Sequence, residues 1–229
     1  MKLVLTCEHG GNNIPEEYTA IFNNKEALKS HRGYDLGALD VFNYLKPLAA
    51  YSNYSETSRL LIELNRSLHH KSLFSEFSNS LTSESKKKII KDYYLTYRNT
   101  VAYEIKKLIK VSHVLHLSIH SFTPVLNHVV RHCDIGILYD PSKPNEKQIA
   151  LKLKKAIHTI NPKWLVRFNY PYLGKADGFT TYLRQQTEKN YSGLEIEINQ
   201  QFSSKNKMNY QIKEDLYAAI EDIVNTVKV

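Results

Sequence analysis

Four places in the sequence set chemistry-bearing side chains within or just beyond a short apolar run. His9 follows Leu3, Val4, Leu5, Thr6 and Cys7. Asn65 and Arg66 follow Leu60, Leu61, Ile62, Glu63 and Leu64. His120 closes a run from Val114 to Ile119, and Glu195 and Glu197 alternate with Leu194, Ile196 and Ile198. Two imidazoles, a carboxylate, an amide and a guanidinium are the parts of a mononuclear metal hydrolase. The imidazoles hold the ion, the carboxylate moves a proton, and the remaining pair binds an anionic group. Each place also has a plainer reading. Gly10, Gly11, Asn12 and Asn13 tolerate positive φ, so CEHGGNN can be read as a strand followed by a turn. One amphipathic strand would be ordinary, but three with their polar groups at one end argue for a shared rim.

Side chains alternate along a strand, so His116, Ser118 and His120 share a face, as do Glu63 with Asn65, and Glu195 with Glu197 and Asn199. A strand covered on both sides should be apolar throughout. In open α/β sheets ligands bind beyond the carboxyl ends of the strands. The spacing predicts strands over 3–7, 59–64, 114–119, 135–139, 164–168 and 194–198, and helices over 35–48, 86–111, 147–161 and 210–227. The stretch from Asp140 to Pro144 breaks the chain before the third helix. This alternation predicts an α/β fold with a mostly parallel sheet. No linker divides the chain, so one domain over 1–229 is expected, with the Ser-rich stretch 72–85 as a loop or weak helix.

Composition excludes several classes. No apolar run approaches the roughly 18 residues of a membrane span, and the run before Cys7 is too short for a signal core of about 7–15 residues. Two cysteines, Cys7 and Cys133, give no disulfide framework and suit a reducing cytoplasm. The net charge of +8 permits an anionic partner. Part of it comes from Lys86, Lys87, Lys88 and Lys91, beside apolar positions of helical spacing, which reads as a solvated helix face. Nucleic acid is disfavoured, because the 16 tyrosines are scattered and no nucleic-acid motif is present.

The blocks CEHGGNNIP, HRGYDLGALD, SRLLIELNRS, SIHSFTPVL, DIGILYDP, YPYLGKADGFTTYLR and LEIEINQ, in this order, resemble the N-formylglutamate amidohydrolase family over most of the chain. The resemblance implies kinship with zinc carboxypeptidases and aspartoacylases: a single domain with a mixed, twisted sheet and helices on both faces. It also implies one zinc ion, although imidazole and carboxylate ligands suit other divalent metals. His9 and His120 are then the histidine ligands. The carboxypeptidase pattern has an acidic ligand three residues after the first histidine, where this chain has Asn12. Asp35 is the preferred third ligand, with Glu8 and Asn12 as alternatives. Asp35 could instead cap the helix that follows it.

By the same resemblance Glu197 is the general base, Arg59 stabilises the oxyanion, Asn65 and Arg66 hold a substrate carboxylate, and Thr180 lies in a turn-rich block that closes over the substrate. Glu195 reads as a structural partner of a nearby cation. The implied reaction is hydrolysis of a small anionic N-acyl amino acid, N-formyl-L-glutamate to formate and glutamate. The alternatives are another N-acyl amino acid or a peptide as substrate, and a nucleic-acid- or metabolite-binding protein without turnover.

Overall fold

The first strand, β1 (Lys2–Cys7), is buried at every residue after Lys2. The computed structural model describes residues 1–187 and 189–226. After β1 come two short helices, α1 (Lys25–Lys29) and α2 (Ala38–Leu45), and the edge strand β2 (Tyr51–Tyr54). Helix α3 (Ser83–Ile89) passes through a π-helical turn, Ile90–Leu95, into α4 (Thr96–Leu108). Then follow β3 (Val114–Phe122), a hairpin of β4 (Val125–Leu126) and β5 (Val129–Val130), β6 (Ile135–Leu138), α5 (Pro144–Ile160) and β7 (Val166–Phe168). Helix α6 (Phe179–Gln186), β8 (Tyr191–Asn199), a small ribbon of β9 (Ser203–Ser204) and β10 (Lys207–Met208), and α7 (Tyr210–Thr226) complete the fold.

Six strands form one mixed sheet in the order β2-β1-β3-β8-β6-β7. Neighbours among β2, β1, β3 and β8 are parallel, while β6 is antiparallel to β8 and β7 runs with β6. The pairing register explains the alternation in the sequence. Leu3 and Leu5 pair with Leu115 and Leu117, and Leu117 and Ile119 pair with Leu194 and Ile196. These residues face one core, with the apolar sides of α2, α5 and α7. Val4, the buried residues of α4 and α6 and the segment from Leu60 to Leu64 form a second core. The expected arrangement, helices on both faces of a mixed, mostly parallel sheet, is therefore present.

The polar faces of β3 and β8 lie side by side, with Ser118 opposite Glu195 and His120 opposite Glu197. Leaving such groups buried and unpaired would cost about 1–3 kcal/mol each, and most are paired. His116, fully buried, sits between the hydroxyls of Thr6 and Tyr191, each at 2.8 Å.

Several elements differ from expectation. Residues 59–64 are a succession of turns, not a strand. A continuous apolar run is ambiguous by periodicity alone, and the place beside β1 is taken by β2, a Tyr- and Ser-containing strand without apolar alternation. The carbonyl of Leu60 accepts instead from Ser75 Oγ at 2.5 Å and Ser78 Oγ at 3.0 Å. The Ser-rich stretch is thus a packed turn region that satisfies the backbone of its neighbour. The helix expected over 35–48 begins at Ala38, behind Gly37 with φ 79°, and ends in a 3₁₀ turn, Lys46–Leu48. The helix over 86–111 is extended at its start, where the Thr82 hydroxyl accepts from Ser85 N. The block around Thr180, expected as turns, forms α6. The strand over 164–168 is shortened to Val166–Phe168, and residue 227 of the last expected helix lies outside the described residues.

Candidate metal and hydrolase site

The carboxyl ends of β1, β3 and β8 open onto a cavity of about 370 Å³ lined by His9, Asp35, Arg59, Asn65, Arg66, His120, Glu195 and Glu197 among others. His9 leaves β1 into a chain that lies tightly on residues 55–56. A Cβ on Gly10 would come within 2.9 Å of Ser55 O, and one on Gly11 within 2.8 Å of Glu56 Cα. Close approach, not positive φ, is what these glycines supply. Asn12 turns away, donating to Leu28 O at 2.9 Å.

Asp35 lies where the two histidines meet. Its Oδ2 is 3.3 Å from His9 Nδ1 and 2.9 Å from His120 Nδ1. One ligand atom from each of the three lies within 4.8 Å of the others, and all three residues are buried. Gly37, not Asp35, occupies the cap of α2, and its N–H donates to Asn206 Oδ1 at 2.7 Å, so the Asp35 carboxylate is free to face the histidines. A buried set of two imidazoles and one carboxylate fits a divalent cation, and the donor types match those of catalytic zinc sites with three protein ligands.

The far nitrogen of each histidine meets a carboxylate. His9 Nε2 contacts Glu63 Oε1, and His120 Nε2 lies 2.8 Å from Ser118 Oγ and 3.2 Å from Glu8 Oε2. Both outer carboxylates are themselves held. Glu63 accepts from Arg59 Nε at 2.8 Å and Asn65 N at 2.9 Å; Glu8 accepts from Ser118 Oγ at 2.5 Å and Tyr97 OH at 2.9 Å. Such partners fix ring orientation and leave Nδ1 of each ring toward the ion. Glu8, an alternative third ligand in the sequence, thus lies behind His120, and Glu63, noticed only for sharing a face with Asn65, lies behind His9. Their sequence signals are adjacency to His9 for one and to Asn65 for the other.

These contacts set the protonation of the site. Burial alone would raise the Glu8 carboxyl, but the hydrogen bond and charge of His120, with help from Ser118, bring it down to about 2. Burial would raise Glu63 too, and Arg59 and His9 hold it below the usual carboxylate range. Burial presses both imidazoles toward neutrality. Even so, His9 is raised by Glu63 and Asp35, and His120 is raised well above its ordinary value by Asp35 and Glu8. Glu197 is the exception among the carboxylates. Burial pushes it well up, and the charges of Asp35 and Glu195 add to this against the opposing pull of His120 and Arg59. Its Oε2 is buried without a hydrogen-bond partner among the described residues.

Arg59 lies against both carboxylates, with Nη1 3.2 Å from Asp35 Oδ1 and Nη2 2.5 Å from Glu63 Oε2. Asn65 accepts from Phe179 N at 2.6 Å and reaches His120 Nε2 at 3.4 Å. Arg66 donates to Asp177 O at 2.5 Å at the cavity mouth. Thr180 is fully buried and does not line the cavity. Its hydroxyl donates to Glu195 Oε1 at 2.6 Å, so it acts on the site through Glu195. That bond also corrects the expected partner of Glu195, which is this hydroxyl. His31 is exposed in a turn, and Cys7 and Cys133 are buried free thiols.

The family model of N-formylglutamate amidohydrolase matches residues 1–203. Among curated proteins none matches the chain. The crystal structure of gene product Atu2144 from Agrobacterium tumefaciens is similar with a TM-score of 0.82 and 24% identity, covering 98% of this chain and 91% of that one. N-formylglutamate amidohydrolase from Ralstonia eutropha JMP134 is similar with a TM-score of 0.77 and 16% identity, over 99% of this chain and 94% of that one. Both likenesses extend the shared fold across nearly the whole chain, and with the family match over its first 203 residues they place this protein in the N-formylglutamate amidohydrolase family.

Proposed function

We propose that the protein is a metal-dependent amidohydrolase that cleaves a small N-acyl amino acid, with N-formyl-L-glutamate as substrate and formate and glutamate as products. The observation that carries this reading is the convergence of His9, Asp35 and His120 beside a buried carboxylate, Glu197, with an unpartnered oxygen. Family membership supports the reaction class.

His9, Asp35 and His120 would hold one divalent ion, which we take to be zinc. When bound, zinc supplies Lewis acidity toward the amide carbonyl and lowers the pKa of water to about 7. Glu197 accepts the proton of the attacking water. It returns that proton to the departing amine, and neither transfer needs a second residue. Arg59 faces the cavity from beside Asp35 and provides positive charge for the developing oxyanion. Asn65 and Arg66 bind a substrate carboxylate at the mouth, Arg66 through its planar fork. Glu195, held by Thr180, lines the wall next to Glu197.

The experiment is amide hydrolysis by the purified, zinc-loaded protein, read as the free amino acid released from N-formyl-L-glutamate, N-acetyl-L-glutamate and N-formyl-L-leucine. Preferential release from N-formyl-L-glutamate supports the reading. Turnover of only one of the others would replace the substrate and keep the reaction class.

A further inference from the structure

Arg98, on α4, is 2% exposed, and among the described residues it makes no ion pair with a carboxylate. Its Nη1 donates to Leu64 O at 2.9 Å and to Arg66 O at 3.0 Å, the two carbonyls that flank Asn65. Its guanidinium lies against three rings, with centroid distances of 4.7 Å to Tyr94, 4.6 Å to Phe179 and 4.5 Å to Tyr182. The same elements close on the loop from the other sides. Tyr94 OH donates to Arg66 O at 2.7 Å, and Phe179 N donates to Asn65 Oδ1 at 2.6 Å. Tyr94 stands on the π-helical turn Ile90–Leu95, one turn before Arg98. Such turns are frequent at functional sites.

A buried cation is normally matched by a carboxylate. Here it is matched by carbonyl oxygens and ring faces, and its two carbonyl partners belong to the segment that presents Asn65 and Arg66 to the cavity. We infer that Arg98 is a positioning residue for carboxylate recognition: it fixes the backbone on both sides of Asn65 so that Asn65 and Arg66 meet the substrate carboxylate together. This rests on the reading of Asn65 and Arg66 given above. Lysine does not reproduce it: an ammonium could donate to both carbonyls, as the single Nη1 does, but it offers no planar group to lie among three rings.

The test uses the full zinc-loaded chain and the variants Arg98→Lys, Arg98→Met and Tyr94→Phe. Three quantities are measured: KM and kcat for N-formyl-L-glutamate, the dissociation constant of L-glutamate, and bound zinc per chain. For both Arg98 variants, KM and the glutamate constant are expected to rise about tenfold or more, with kcat changed far less and zinc stoichiometry unchanged. Tyr94→Phe, which removes only the hydroxyl, is expected to move the same two quantities in the same direction by a smaller factor, and it decides the matter if the Arg98 variants fail to fold. Unchanged KM and glutamate binding, full rescue by lysine, or a loss of kcat and zinc in parallel would each overturn the proposal. If the wild-type chain neither releases formate nor binds glutamate, the reading of the site falls and the proposal with it. An active wild type with unaltered variants overturns the proposal alone.

Discussion

Glu197 stands directly across from His120 on neighbouring parallel strands, and one of its carboxylate oxygens is buried without a partner among the described residues. Every other buried carboxylate at the centre of the site is held: Asp35 by two histidines and Arg59, Glu8 by Ser118 and Tyr97, Glu63 by Arg59 and Asn65 N. An acceptor left open next to the histidines is what a proton-transfer group requires. Glu197→Gln keeps the volume and removes the titration. It is expected to leave zinc stoichiometry unchanged and lower kcat by about 10²–10⁴-fold. A variant that retains most of the wild-type kcat would assign proton transfer elsewhere.

Arg66→Ala removes the charged fork at the cavity mouth. A charge-assisted hydrogen bond is worth about 1.5–3 kcal/mol, so KM for N-formyl-L-glutamate is expected to rise roughly 10- to 100-fold. Steady-state kinetics at saturating zinc check this, and a drop in kcat at unchanged KM would contradict a binding role.

Glu8→Gln leaves a hydrogen-bonding group behind His120 but removes its charge. Loss of an outer carboxylate costs about 10- to 100-fold in metal affinity, measurable by competition with a chelating dye. The acid limb of stability should change too. The folded pKa of Glu8 is depressed from 4.5 to about 2, so its contribution is present above pH 4.5 and lost as pH falls through about 2. Thermal scans of metal-free protein across this window should show a shallower acid decline for Glu8→Gln than for wild type.

If His9 and His120 hold zinc as proposed, the ion competes with protons there. Both imidazoles have raised pKa values in the metal-free chain, and each must be neutral to bind metal. Affinity is therefore expected to fall as pH is lowered through those values. The linkage to stability has the opposite sense. The contribution of these imidazoles to the metal-free fold is present below 6.5, the ordinary histidine pKa, and is lost as pH rises through the raised values. Calorimetric zinc titrations in buffers of different ionisation enthalpy would count the released protons. A pH-independent affinity with no proton release would contradict these ligand assignments.

The sheet was legible because β3 and β8 carry strict alternation, and Leu115, Leu117 and Ile119 could face only one way once Leu3 and Leu5 lay beside them. His9, Asp35, His120 and Glu197 were legible because they sit at strand ends or in motif blocks. The segment 59–64 was misread because its apolar residues are buried by turns rather than by a ladder, and hydrophobicity does not distinguish the two. Glu63 and Glu8 were undervalued for a related reason. Their distant partners, His9 for Glu63 and Tyr97 and Ser118 for Glu8, come from separate places in the chain, and spacing cannot show that a carboxylate two residues before Asn65 reaches His9. Arg98 carried no local signal, since a lone arginine on a helix reads as a surface residue until Leu64 O and Arg66 O are seen against it.

The most direct measurement is formate release from N-formyl-L-glutamate by protein first stripped with a chelator and then titrated with zinc. Release is expected to be absent from the stripped protein and to rise in proportion to zinc, levelling off at one equivalent per chain. Undiminished release by fully stripped protein, or none at any zinc loading, would contradict a metal-dependent deformylase built on His9, Asp35 and His120.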